Sequence, residues 1–261
     1  MKRPSISSLR SAYDAQHANL VGWLARTPSN LWHQPSVLDA WAVRQLAFHT
    51  TEVPGSLTRA LANGPVRRTP LTIAAYTAAW APAATEIADR DRKGAAGLDK
   101  RKILARHEEE HAALTAALDA LDGDPVVPAR RGPIRVSDFL ATRVNELVVH
   151  SRDLSASLPD RDPVDIDDKA LGVATRMLLD VLAERSPGKS VEVRVPPYAA
   201  IPCIEGPRHT RGTPPNVVET DGLTWVELAC GRLSWKDAVA SGRVSASGER
   251  ADLSGTLPVL R

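Results

Sequence analysis

The 261-residue chain is short of cysteine: Cys203 and Cys230 are all it has. Two cysteines in a chain this long make no disulfide framework, so the fold must rest on packing and hydrogen bonds. An excess of charge is missing too. Charged residues make up 25% of the chain, yet the formal net charge is only +2. The signs are mixed along the sequence, so there is no basic stripe and no nucleic-acid partner is expected. Long apolar runs are absent: no stretch approaches the roughly 18 residues that a membrane-spanning helix needs. The opening residues, MKRPSISSLRSAYDAQHANL, hold no apolar core of the kind a secretory signal carries. A cytoplasmic protein without a membrane span is the expectation. Core material is plentiful. Hydrophobic residues reach 43%, enough for one large domain or two ordinary ones and too many for a disordered chain.

The first 158 residues read as helix after helix. Leu9, Tyr13, Gln16, Leu20, Trp23 and Leu24 recur at helical spacing over 6–26, and Pro28 stops the pattern. A helix over 39–62 carries Val43, Leu46, Ala47 and Val53, with Pro54-Gly55 as an expected break or kink. Thr69-Pro70 is a start signal for a helix over 70–92, bent at Pro82. Asp99 opens the next helix, which the run Asp122-Gly123-Asp124-Pro125 ends, and Ser137 caps another that reaches Leu158.

Ser157 to Pro163 reads as a domain boundary. After one more helix near 165–185 the pattern changes. Val191-Glu192-Val193-Arg194-Val195 alternates as a half-buried strand does. Trp225 to Leu228, Arg243 to Ser247 and Ala251 to Leu257 are further strand candidates, and Trp235 to Ala240 is a short helix. These elements suggest an α+β domain built on one antiparallel sheet. No internal repeat or low-complexity tract is visible.

Glu146 and His150 stand four apart in the helix over 137–158, so their side chains leave the same face. Leu140, Val144, Leu147 and Leu154 form an apolar stripe beside them. An unpartnered carboxylate there would be costly, and a metal ion would satisfy both groups. His49 lies on another helix, and bundles build metal sites from inward-projecting side chains on facing helices. Two histidines and a carboxylate leave coordination positions open on zinc, and iron or nickel also accepts such ligands. Spacing alone leaves another possibility open: a plain hydrogen bond on one helix, beside an unrelated core histidine.

A resemblance bears on that choice. Trp41-Ala42-Val43-Arg44-Gln45-Leu46-Ala47-Phe48-His49 and Arg143-Val144-Asn145-Glu146-Leu147-Val148-Val149-His150-Ser151-Arg152-Asp153-Leu154 look like the two signature stretches of the mycothiol-dependent maleylpyruvate isomerase family, itself similar to DinB-like bundles. The resemblance covers about residues 6–158. It implies that His49, Glu146 and His150 bind a divalent metal, usually zinc. It also implies mycothiol as the thiol cosubstrate, bound to that metal as thiolate. Two departures stand out: Ala42 replaces the usual Ser or Thr helix cap, and 70–92 is longer than the usual linker.

Residues 190–260 resemble a bacterial sterol-carrier-protein-like module. The resemblance is carried by Pro196-Pro197-Tyr198-Ala199, the stretch Gly206 to Pro215, Trp225, Gly231-Arg232-Leu233-Ser234-Trp235, Gly242 to Gly248 and Leu257-Pro258-Val259. It implies a helix layer on a sheet, often around an apolar tunnel. Within 206–215, Arg208, His209 and Arg211 sit among glycines and prolines that hold backbone shape. Such a loop suits a carboxylate or the polar groups of a thiol cofactor, or it is simply solvated.

Other signals point less far. His107-Glu108-Glu109-Glu110-His111 matches the H-E-x-x-H zinc-protease string, but it reads as a charged, solvated helix face. The extended pattern is broken by Leu114 and Ala117. Cys203 and Cys230 read as small core residues, His17 and His33 as ordinary surface or core histidines, and Trp23, Trp41 and Trp80 as packing.

The expected fold class is α plus α+β: a DinB-like up-down helical bundle over 1–158, then a small sterol-carrier-like domain over 163–261. The expected function is metal-dependent and mycothiol-dependent activation of a thiol, for transfer to or isomerisation of a small electrophile. His49, Glu146 and His150 are the expected metal ligands; Arg143, Arg208, His209 and Arg211 are the expected substrate anchors. The alternative is a carrier that binds an apolar ligand without catalysis.

Overall fold

A computed structural model describes residues 3–39, 41–80, 82, 84–206 and 216–260. Helix α1, Ile6–Arg26, starts where the Ser5 hydroxyl accepts from the Ser8 N–H, and it buries Leu9, Tyr13, Gln16, Leu20, Trp23 and Leu24. The buried set is the one the spacing predicts. Helix α2, Val43–Ala62, begins at Ala42, which has no side-chain acceptor to offer; Gln45 Oε1 instead accepts from the Ala42 N–H at 3.1 Å. Pro54 lies inside α2 without ending it, so the expected break does not occur there.

The helix expected over 70–92 is two pieces. Short α3, Ile73–Thr77, gives way to turns, and α4, Ala84–Gly94, follows. Pro82 separates the two instead of bending one helix. Helix α5, Lys100–Asp119, is capped by Asp99, whose carboxylate accepts from the Lys102 N–H at 2.8 Å. A hairpin that periodicity does not reveal comes next: β1, Val126–Ala129, pairs antiparallel with β2, Gly132–Arg135. Helix α6, Val136–Ser157, follows at once. Ser137 sits in its first turn, and its N–H and hydroxyl both donate to the Asp124 carboxylate, at 2.9 and 2.7 Å. Leu140, Val144, Leu147 and Leu154 of α6 are fully buried, as the stripe predicts. The bundle core is α2 packed on α5 and α6, with α1 against α6.

The chain divides into two compact units, 1–72 with 82–170 and 73–81 with 171–261. The division falls a few residues beyond the Ser157–Pro163 break. The reason lies in α1. Trp23 Nε1 donates to the Asp162 carbonyl at 2.7 Å, and the Gln16 and Asn19 amides donate to the Asp165 carbonyl, stitching the connection to the first unit.

In the second unit, α7, Asp168–Arg185, precedes β3, Val191–Val195, and β4, Ala199–Cys203. Next come β5, Val217–Thr220, α8, Gly222–Ala229, α9, Trp235–Ala240, and β6, Val244–Ser247. Segment 73–81 belongs here; Arg185 donates to the Ala74 carbonyl. The sheet order is β4-β3-β5-β6. It is mixed, not purely antiparallel: β3 runs parallel to β5, with Val193 beside Val218, and antiparallel to β4.

Two strand expectations fail. Trp225 to Leu228 is helical in α8, because Asp221 caps that helix by accepting from the Thr224 N–H and hydroxyl. A short apolar run does not separate strand from helix by periodicity. Ala251 to Leu257 is irregular; it buries Ala251, Leu253 and Leu257 without pairing as a strand. The architecture is therefore a helical N-terminal domain followed by a small α+β domain, as expected.

Candidate metal centre

Three side chains far apart in sequence converge in the first unit. One ligand atom each of His49, Glu146 and His150 lies within 4.8 Å of the others. α2 presents His49, and α6 presents Glu146 and His150 from adjacent turns. The imidazoles of His49 and His150 stand edge to face, centroids 4.7 Å apart. All three side chains are mostly buried, at 12%, 16% and 12% exposure.

Each imidazole has its own carboxylate. His49 Nδ1 donates to Asp91 Oδ2 at 2.6 Å, and His150 Nδ1 donates to Asp153 Oδ2 at 3.0 Å. With Nδ1 committed as donor, Nε2 is left on both rings as the lone-pair nitrogen. This is how histidine ligands are usually oriented: the outer carboxylate sets tautomer and ring direction. Asp91 is wholly buried on α4, and its other oxygen accepts from Arg90 Nε at 2.6 Å. Burial pushes the Asp91 carboxyl up, but the hydrogen bonds from His49 and Arg90, with the charge of Arg90, outweigh it and hold the group below its usual value. Burial pulls the His150 imidazole below its ordinary value, against the Asp153 hydrogen bond, and this favours the neutral form that a metal requires.

Arg143 lies where the sequence puts it, one turn before Glu146, but its guanidinium is spent inside the protein. It meets Glu146 Oε1 at 2.6 Å, donates to Ser56 Oγ at 3.0 Å and lies over the Phe139 ring. With its side chain only 7% exposed, it orients the glutamate more readily than it meets a substrate. Arg208, His209 and Arg211 lie outside the described residues. Asp91, in contact with His49, is the residue of this cluster that sequence reasoning missed. No motif marks it, since its partner is 42 residues away. Asp153, by contrast, lies within the second signature stretch. Trp41 also gains a role: its ring packs beside His49, centroids 5.0 Å apart.

The donor set fits a divalent cation. Two neutral imidazole nitrogens and a carboxylate oxygen, preoriented and mostly dry, suit zinc and leave a coordination position open. Among the described residues no other histidine, cysteine or carboxylate group gathers this closely. The His107–His111 string does not. Glu108 and Glu109 are exposed, as their charges lead one to expect, but His107 departs from that face: it is fully buried, its Nε2 3.2 Å from the Ala47 carbonyl. His17 joins it in the core, stacked on His111 with centroids 4.4 Å apart. A cavity of about 810 Å³ opens elsewhere in the first unit, lined by Trp32, Arg44, Lys100 and Arg101 among others, and none of the metal-site residues lines it. Cys203 and Cys230 form no disulfide and are buried, as expected.

Residues 13–155 match the family model of the mycothiol maleylpyruvate isomerase N-terminal domain, and residues 167–259 match that of the bacterial SCP ortholog. A crystal structure of the mycothiol-dependent maleylpyruvate isomerase is similar over 94% of this chain and 93% of that one, with 18% identity and a TM-score of 0.61. A histidine-to-alanine mutant of that enzyme gives 17% identity and a TM-score of 0.60 over the same shares. At such identity the likeness speaks for the fold. Among curated proteins none matches the sequence.

Proposed function

Since the chain belongs to the family of the mycothiol maleylpyruvate isomerase N-terminal domain, we propose that it is a metal-dependent enzyme that activates a thiol, mycothiol, for attack on a small electrophile. The observation that carries the reading is the convergence of His49, Glu146 and His150 within 4.8 Å, with a carboxylate behind each imidazole. A divalent cation bound there, zinc by its ligand set, would lower the pKa of a coordinated thiol so that it is a nucleophile at neutral pH. The chain's own residues do the rest. Asp91 and Asp153 keep both Nε2 atoms available as ligands. Arg143 holds one oxygen of Glu146 and leaves the other for the cation. The apolar walls of α6 limit water at the site and so strengthen each charge interaction. The outcome is thiol transfer or an isomerisation through a thiol adduct. Arg208, His209 and Arg211 are proposed as anchors for the anionic or polar part of a substrate.

The test is metal analysis of the purified chain beside His150→Ala, with mycothiol consumption measured against a panel of electrophiles. One equivalent of metal in the native chain, lost in the variant together with thiol consumption, is the expected result. Full metal content in the variant refutes the site. The match of residues 167–259 supports a second reading, in which the C-terminal domain takes up an apolar ligand. Displacement of a fluorescent fatty acid by metal-free protein tests it. No helix among the described residues is long and apolar enough to cross a membrane, and we propose that the enzyme works in the cytoplasm.

A further inference from the structure

α4 is held to the bundle in an unusual way. Of its eleven residues, Asp91 is the one that is buried; Ile87 and Ala88 are partly covered and the others lie open. A helix this short is marginal alone in water, and a surface helix normally stays in place through an apolar stripe. Here the stripe is nearly missing, and the buried side chain is a carboxylate, which is costly to bury without partners. Asp91 has them on both oxygens, His49 Nδ1 and Arg90 Nε, each at 2.6 Å. Arg90 belongs to α4 itself, so of the two Asp91 bonds the one that reaches across to the bundle is that to His49; another tie of α4 is the solvent-exposed ion pair of Glu86 with Arg130. At the far end Gly94 adds a close approach: a Cβ there would come within 2.4 Å of Phe48 Cζ.

The two histidines thus differ. The carboxylate behind His150 is Asp153, three residues on along the same helix, and needs no second helix to bring it in. The carboxylate behind His49 arrives only if α4 is seated.

We infer that occupancy of the metal site and seating of α4 are coupled through the Asp91–His49 hydrogen bond, with Asp91 as the positioning residue. The inference rests on the proposed metal site. A cation on Nε2 polarises the imidazole and makes Nδ1–H a stronger donor to Asp91; Asp91 in return orients the ring and raises its basicity as a ligand. Coupling of this kind is reciprocal: the factor by which a seated α4 raises cation affinity is the factor by which the cation favours seating. The helix that carries Asp91 is therefore latched by the site's own ligand.

Hydrogen–deuterium exchange over residues 84–94 of the full chain, with and without zinc, reads this directly. Zinc slows exchange in α4 about ten-fold or more, the range by which such outer carboxylates alter metal affinity. Asp91→Asn lowers zinc affinity about 10- to 100-fold and, at saturating zinc, abolishes the zinc-dependent protection of α4. Asp153→Asn lowers affinity too but keeps that protection once zinc is saturating. Zinc uptake by the native chain with no change in α4 overturns the coupling alone, as does full protection in Asp91→Asn. Absence of any zinc uptake overturns the metal reading and the coupling with it.

Discussion

Acid should unfold the helical domain earlier than its size would suggest, and the cause is two imidazoles away from the metal site. His17 and His107 are buried against each other, ring centroids 5.4 Å apart, with His111 stacked on His17. Burial first, then repulsion from the neighbouring imidazoles, lowers His17 to about 3 from an ordinary 6.5. Burial lowers His107 to about 4, against the Ala47 carbonyl and with His111 adding to the fall. Between their lowered values and 6.5 they stay neutral in the native state while the unfolded chain protonates them. Between about pH 4 and 6.5 the unfolded state therefore binds more protons, and stability falls as pH falls through that window. Above the ordinary value of 6.5 the contribution is flat. One unit of pKa is worth about 1.4 kcal/mol, so at pH 5 each histidine costs about 2 kcal/mol relative to pH 8. Two together remove about 4 kcal/mol, a large share of the ~5–15 kcal/mol that holds a domain folded. Urea unfolding of metal-free protein at pH 8, 6 and 5 measures the loss. Other groups also contribute to the pH dependence, so the diagnostic is the difference between native protein and His17→Gln or His107→Gln. Each variant should be less stable at pH 8 yet lose about 2 kcal/mol less on going to pH 5. Equal losses in native and variant protein would refute the argument.

Three further outcomes are expected. Glu146→Gln removes the ligand charge and its ion pair with Arg143, so metal content falls below one-tenth and thermal stability no longer responds to zinc; calorimetric titration and thermal melts check both. Asp221→Ala strips the cap of α8 and lowers stability by about 1 kcal/mol, read from denaturant midpoints. Cys203, whose thiol burial pushes up to about 11, should resist a thiol-reactive disulfide at pH 8 until urea unfolds the chain; prompt reaction in native protein would contradict its burial.

How much of the site was legible turns on distance along the chain. Glu146 and His150 share a helix, so their common face is set by a repeat that sequence displays, and the Leu140–Leu154 stripe beside them said which way that face looks. His49 was identified through its signature stretch, not through spacing. Asp91 was invisible, because one aspartate on a polar helix looks like any other until packing brings it to His49. His107 was misjudged for a related reason. Its neighbours Glu108 and Glu109 are exposed as their charge implies, but the helix turns His107 inward, and local charge says nothing about a face 100° away. Trp225 was misplaced because the short run Trp-Val-Glu-Leu fits a strand as well as a turn of helix; Asp221 upstream held the deciding signal.

Sequence by itself determined helices α1, α2, α5, α6 and α7, the apolar stripes that face the core, the shared face of Glu146 and His150 on α6 and the change from helical to alternating pattern near 190. Those are near-neighbour properties, fixed by backbone periodicity and by caps that act within one turn. Tertiary structure alone decided that α4 carries the carboxylate to His49, that β3 pairs parallel with β5, and that His17 and His107 share a dry interior. Each of those joins residues dozens of positions apart. Their meeting depends on which faces bury together, a balance struck over the whole core and not written at either residue.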